Sequence, residues 1–180
     1  MKTASKTIYT VTMMSNDELI QNGIETRQVR VGDPAPDFTL PTHNEGELNL
    51  AWYQGRRPVI VAFYPGDWTP VCSNQIPGFK EIIEQFDEFD CQLLCISVDS
   101  IPCHKAWAKS MGGLPFPLMS DYWPHGEVAR KYGIFDESRG FARRTVFLID
   151  KEGIIQYIDA VELQEIPDND KLLEKLAELS

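Results

Sequence analysis

The stretch from Val59 to Gln75 constrains this chain more than any other. Val59-Ile60-Val61-Ala62-Phe63 is an unbroken apolar run, and a short run bounded by turn residues reads as a strand buried on both faces. Pro65-Gly66 ends it. Beyond Cys72, the residues Phe79, Ile82, Ile83, Phe86 and Phe89 recur at helical spacing, which predicts a helix with one apolar face. Cys72 therefore sits where a helix starts, just past the carboxyl end of a strand. Free amide N–H groups and the positive end of the helix dipole point at that place. Both favour a thiolate over a thiol, and the thiolate is the nucleophile. The competing reading is a small cysteine that only fills space. Two prolines and a threonine framing a strand-to-helix junction fit that reading poorly.

Bulk properties narrow the classes. At 180 residues the chain suits one domain with a sizeable core. A net charge of −10 argues against nucleic acid or an anionic membrane as partner. No apolar run reaches transmembrane length. The polar opening from Met1 to Ile20 lacks a signal-peptide core, so a cytoplasmic location is expected. The 4 cysteines have neither metal-type nor Cys-x-x-Cys spacing, so neither a zinc site nor a disulfide framework follows. No metal and no organic cofactor is implied.

The remaining elements follow in order. Ser15-Asn16-Asp17-Glu18 has cap chemistry, but no apolar periodicity follows it. Asn44-Glu45-Gly46-Glu47 is a turn between short extended pieces, hence a hairpin. Pro77-Gly78 inside the predicted helix favours a kink that loosens the turn carrying Cys72. Leu93–Val98 reads as a second buried strand and 101–111 as a helix stopped by Gly112-Gly113. Pro115-Phe116-Pro117 is a rigid loop, and 126–132 a short helix closed by Gly133. Thr145–Ile149 and Ile154–Ile158 form a hairpin across Asp150-Lys151-Glu152-Gly153. Asp168 or Asp170 caps a last helix with Leu172, Leu173, Leu176 and Leu179 inward. A strand–helix–strand unit, a hairpin and a closing helix make the thioredoxin order: an α/β, thioredoxin-like fold with a central mixed sheet flanked by helices. A right-handed crossover makes strands 59–63 and 93–98 parallel.

In that order strand 145–149 runs antiparallel to them, so Arg143-Arg144 returns to the end of the sheet where Cys72 lies. A guanidinium there stabilises a thiolate and an oxygen that gains charge. The two arginines alternate to opposite faces of the sheet. His104 and His125 lack a third ligand at suitable spacing, so both are read as structural.

The pattern Pro65-x-x-x-Thr69-x-x-Cys72 resembles the active-site signature of the peroxiredoxins. The likeness runs over roughly residues 30 to 180. It opens at Val31-Gly32-Asp33-Pro34-Ala35-Pro36-Asp37-Phe38. Ser120-Asp121-Tyr122-Trp123-Pro124-His125-Gly126 and Tyr132-Gly133-Ile134-Phe135 resemble the one-cysteine, alkyl hydroperoxide reductase E-like group. It divides the chain into an N-terminal arm, 1–30, and a peroxiredoxin domain, 31–180. It implies that Cys72 attacks a peroxide, that the Thr69 hydroxyl bonds the reacting atoms, and that Pro65 shields the thiolate. The family's arginine lies three residues before a strand phenylalanine, here Phe147, which selects Arg144 over Arg143. Gln75 is expected to hold Arg144, and Trp68 to wall the peroxide pocket or to pack in the core.

These assignments imply a thiol-dependent peroxidase that reduces hydrogen peroxide and organic hydroperoxides through a sulfenic acid. The reductant is an external thiol of thioredoxin, glutaredoxin or low-molecular-weight type. A homodimer or higher homo-oligomer is expected, with Pro115–Pro117 and Tyr122-Trp123 as contact surface. A thioredoxin-fold disulfide oxidoreductase is the first rival. Cys72-Ser73-Asn74-Gln75 lacks its second cysteine, and Phe141-Ala142-Arg143-Arg144 lacks its proline. A holdase or peroxide-sensing interaction protein is the second rival. Resolving cysteines of the two-cysteine types are missing from their usual places, since no cysteine follows Cys103 and Pro77 stands five residues after Cys72. Cys91 belongs to the far end of the sheet and Cys95 to its interior. Cys103, at the start of the next helix, remains the possible resolving cysteine. Helix starts on neighbouring strands lie about 10 Å apart, too far for a disulfide without local unwinding. A one-cysteine cycle is therefore expected.

Overall fold

The computed structural model describes residues 28–44 and 46–179. The expected arm over 1–30, with the cap chemistry at Ser15–Glu18, lies almost wholly outside the described residues. A small hairpin, β1 (Thr39–Pro41) with β2 (Glu47–Asn49), comes first, as the turn residues predict. A 3-10 turn, Leu50–Tyr53, leads into β3 (Val59–Phe63). Next come α1 (Cys72–Glu81), α2 (Ile83–Glu88), β4 (Gln92–Ser97) and α3 (Ile101–Ser110). β5 (Leu118–Ser120), α4 (Glu127–Lys131), β6 (Phe135–Asp136) and β7 (Phe141–Ala142) follow. The chain ends with β8 (Thr145–Ile149), β9 (Ile155–Ala160) and α5 (Asn169–Ala177). The Asp168 side chain caps α5 by accepting the Lys171 amide at 3.0 Å.

The central sheet has 5 strands in the order β5-β4-β3-β8-β9. β3, β4 and β5 are parallel, while β8 is antiparallel to β3 and β9 to β8. All of β3 and β8 is buried, so alternation along each strand sends side chains into two separate cores. Ile60, Ala62, Leu93, Cys95, Val146 and Leu148 pack under α1, α3 and α5, against Ile76, Phe79, Trp107 and Leu172. Val59, Val61, Phe63, Leu94, Ile96 and Phe147 pack on the other side, against Val128, Tyr132 and the first hairpin. Tilted and edge-to-face aromatic rings fill this second core, with Tyr132 at 5.2 Å from Phe63 and 4.9 Å from Phe147 between ring centroids.

Two details differ from the sequence expectation. Periodicity gives no sign of β5 or of the β6–β7 pair, which are too short to show any. The helix is continuous across Pro77-Gly78, and the single helix expected to run on to Phe89 breaks instead at Ile82 (φ −109°, ψ 9°). The carbonyl that Pro77 leaves without an intrahelical partner belongs to Ser73, which is exposed to water.

Candidate active site

Cys72 is the first residue of α1 and is fully buried. The chain begins to wind before it, since the Ser73 amide donates to the Thr69 carbonyl at 2.9 Å. A sulfur at that end of a helix lies in the positive field of its amides.

Arg144 arrives from the opposite direction. Phe63 pairs with Thr145 across the antiparallel β3–β8 ladder, so the residue just before β8 lies beyond the carboxyl end of β3. Arg144 shares its side of the sheet with Val146 and Leu148, the side that α1 covers. Its Nη1 stands 3.3 Å from Cys72 Sγ. The same nitrogen donates to Gln75 Oε1, one turn along α1. Nη2 donates to the Leu163 carbonyl at 3.1 Å. Arg144 is among the largest fully buried side chains of the protein. Arg143 points the other way, is exposed, and donates to the Gly133 carbonyl at 2.8 Å.

Pro65 is buried and Thr69 half-buried, on the segment between β3 and α1. The Thr69 hydroxyl donates to the Gly66 carbonyl at 2.9 Å. Its proton is thereby committed, and its oxygen is left as an acceptor. Trp68, between them in sequence, is turned outward. It is 55 % exposed, has a left-handed backbone with φ 63°, and rests on Trp107 at 6.3 Å between ring centroids. Its ring contact is thus with α3.

The other thiols lie in unlike settings. Cys95 is fully buried in β4, and burial pushes its thiol well up. Cys91 is buried beside the start of β4, and burial pushes it up to about 12. Cys103 is half-buried in the first turn of α3, 3.7 Å from Asp99 Oδ1. A helix start by itself favours a thiolate. Instead burial, with the carboxylates of Asp67 and Asp99, pushes it up to about 11. Burial, with the carboxylates added to it, opposes the helix field here.

A buried polar cluster stands next to the Cys72 loop, and no sequence motif points to it. Asp67 Oδ1 accepts from the Tyr64 hydroxyl at 2.8 Å, and Oδ2 from His104 Nδ1 at 2.8 Å. The Asp67 amide donates to Asp99 Oδ2 at 2.8 Å, and Ser97 Oγ donates to the same oxygen at 2.7 Å. The carboxylates of Asp67 and Asp99 and the Cys103 sulfur lie within 4.8 Å of one another, and all three are engaged by protein partners. His125, the other histidine of interest, lies apart, with Nε2 2.7 Å from the Gly140 carbonyl.

Comparison with known proteins identifies the family. Residues 31–158 match the model of the AhpC/TSA family. Alkyl hydroperoxide reductase E of Mycobacterium tuberculosis is 37 % identical over 152 residues, covering 84 % of this chain and 99 % of that protein. Peroxiredoxin-1 of Gallus gallus is 36 % identical over 143 residues, 74 % of this chain and 70 % of that one. The crystal structure of reduced Plasmodium vivax 2-Cys peroxiredoxin superposes with a TM-score of 0.75 at 30 % identity, covering 82 % of this chain and 80 % of that one. The chain thus belongs to the AhpC/TSA family and is a peroxiredoxin, a thiol-dependent peroxidase.

Proposed function

We propose that Cys72 is the peroxidatic residue and that Thr69, Arg144 and Pro65 assist it. The single observation that carries this reading is the buried Arg144 guanidinium 3.3 Å from the Cys72 sulfur. The sulfur attacks the distal oxygen of a peroxide in line. The O–O bond breaks, sulfur is oxidised to a sulfenic acid, and the leaving oxygen takes a proton to depart as water or alcohol. Arg144 stabilises negative charge first on sulfur and then on the departing oxygen. Gln75 and the Leu163 carbonyl aim the guanidinium. Thr69, with its proton given to Gly66, accepts the peroxide O–H and so orients the bond that breaks. Pro65 keeps water away.

An external thiol then condenses with the sulfenic acid, releasing water and leaving a mixed disulfide. A second thiol displaces Cys72 and carries off the disulfide. Burial, the bond to Asp99 and a strongly raised thiol all count against Cys103 as the internal partner. The domain of 31–180, a homodimer and a cytoplasmic location complete the proposal. Tyr122 and Trp123, 56 % and 81 % exposed, offer an apolar contact for a second copy. Phe116 does not join them, since it is buried in the core. Among the described residues no helix is long and apolar enough to cross a membrane.

Stoichiometric consumption of peroxide by the reduced protein, with turnover sustained by added thiol, tests the reading. Peroxide loss without turnover under every thiol would instead favour the sensing or holdase alternative.

A further inference from the structure

We infer that His104 and Asp67 form a buried positioning couple that sets Thr69 against the reacting sulfur. The inference rests on the peroxidase reading above and adds to it residues that touch neither Cys72 nor the peroxide. The segment from Gly66 to Thr69 is short, lies in a loop, and contains Trp68 at φ 63°. A bulky side chain in the left-handed region is strained, and such a conformation persists only where its surroundings over-determine it. The Trp68 ring is 55 % exposed and rests on Trp107 alone among the described aromatic rings, so the firmer hold on this segment comes from its neighbour.

Asp67, the residue before it, is held from three directions. Tyr64 and His104 each donate to one oxygen of its carboxylate at 2.8 Å. Its amide donates to Asp99 Oδ2, also at 2.8 Å. Asp99 is fixed in turn, because its amide bonds Ser97 Oγ at 3.0 Å and its carbonyl accepts from Ser120. The side chains of His104 and Asp67 are both fully buried, so water does not compete for these bonds. His104 Nε2 is buried without a protein partner among the described residues. The ring therefore acts on the loop through Nδ1 alone.

The path to the chemistry is covalent and short. The peptide that joins Gly66 to Asp67 carries both the carbonyl that takes the Thr69 proton and the amide held by Asp99. Relief of Trp68 turns the Asp67–Trp68 peptide, and if Asp67 is not held the shift passes through it to the peptide before, which swings the Gly66 carbonyl away and frees the Thr69 hydroxyl to turn. The Thr69 carbonyl also receives the Ser73 amide at the start of α1. A loop released at Asp67 thus loses the orientation of the peroxide before it loses the helix.

His104→Asn and His104→Gln separate this role from simple packing. The asparagine amide nitrogen can occupy the place of Nδ1 and keep the bond to Asp67. The longer glutamine places its nitrogen near Nε2, fills the site better, and misses Asp67. In the full chain, the single-turnover rate of Cys72 oxidation by hydrogen peroxide is measured beside its rate of alkylation by iodoacetamide. The alkylation needs the thiolate but not Thr69. His104→Asn should keep the oxidation rate within about threefold of wild type, and His104→Gln should lose about tenfold, the worth of one buried hydrogen bond. Alkylation rates should stay level in both. Tyr64→Phe, which deletes the other donor to Asp67 and preserves the ring, should lower oxidation alone in the same way. A glutamine variant as fast as the asparagine one, equal falls in both reactions, or an unaffected Tyr64→Phe would overturn the inference. A wild type inert to peroxide would overturn the peroxidase reading itself.

Discussion

The Arg144 guanidinium meets the Cys72 sulfur at 3.3 Å although 72 positions separate the two residues. One opens the helix that follows β3, and the other ends the approach to β8, which runs back along β3. Their meeting is a consequence of antiparallel pairing, and it brings a fixed positive charge to a buried sulfur. Removing that charge should lower the rate of Cys72 oxidation roughly 10²-fold or more, by analogy with deleting one oxyanion donor. Arg144→Ala tests this in stopped-flow oxidation by hydrogen peroxide. Arg143→Ala, on the other face of the sheet, should stay within about threefold. A larger loss for Arg143 would mean that the face assignment has the wrong chemistry.

Cys72→Ser should abolish peroxide reduction and leave the fold intact. A serine oxygen fills nearly the same space, but it is a far weaker nucleophile at neutral pH. Circular dichroism and peroxide consumption on the same sample make the comparison. Peroxidase turnover in this variant would remove Cys72 from the centre of the mechanism.

Cys103 should not close a disulfide with Cys72. Its sulfur is turned to Asp99 and its thiol is pushed up to about 11, so little thiolate exists at neutral pH. After one equivalent of peroxide without added thiol, mass spectrometry should find sulfenic or sulfinic Cys72 and an unmodified Cys103. Cys103→Ser should sustain turnover with external thiol at the wild-type rate. A Cys72–Cys103 disulfide peptide would replace the one-cysteine cycle by an internal one.

His43 should make stability fall with acid. Burial, then His104, hold its ring below the ordinary 6.5, with Lys105 pushing the same way and the Leu118 backbone and Asp67 opposing. Nδ1 also accepts the Leu118 amide at 2.9 Å, which requires a neutral ring. The folded-state value is lowered, so the unfolded chain binds this proton first as the pH drops. The contribution is complete above 6.5 and is lost as the pH falls from there toward the folded-state value. Urea midpoints for wild type and His43→Asn, which keeps an acceptor near Nδ1, should diverge in slope between about pH 7.5 and about pH 5.5. Parallel curves would show that His43 is protonated as readily in the fold as in the open chain.

Much of the architecture is legible along the chain because its causes are local. A bounded apolar run gives β3, an aspartate three residues ahead of an unsatisfied amide caps α5, and glycines stop α3. Alternation puts Arg143 and Arg144 on opposite faces once β8 is taken as antiparallel, and the family resemblance through Phe147 selects Arg144. Other features have no local cause. Asp67 meets Asp99 and His104 only because β4 lies beside β3 and α3 packs above both. In the sequence Asp67 is a turn residue and His104 one residue of a helix face. The setting of Cys103 was likewise decided in space. Its place in the first turn of a helix is readable, and so is Asp99 four residues before it, but the burial and the Asp67 carboxylate that also oppose that field come from the packing. β5 exists because Cys95 and Ile96 offer an open edge to Leu118 and Met119, and three residues cannot announce a period of two. Periodicity, caps and breakers act over a few residues and can be read from them. Hydrogen bonds and charges between segments more than 30 residues apart depend on the packing that brings the segments together, and only the tertiary structure supplies it.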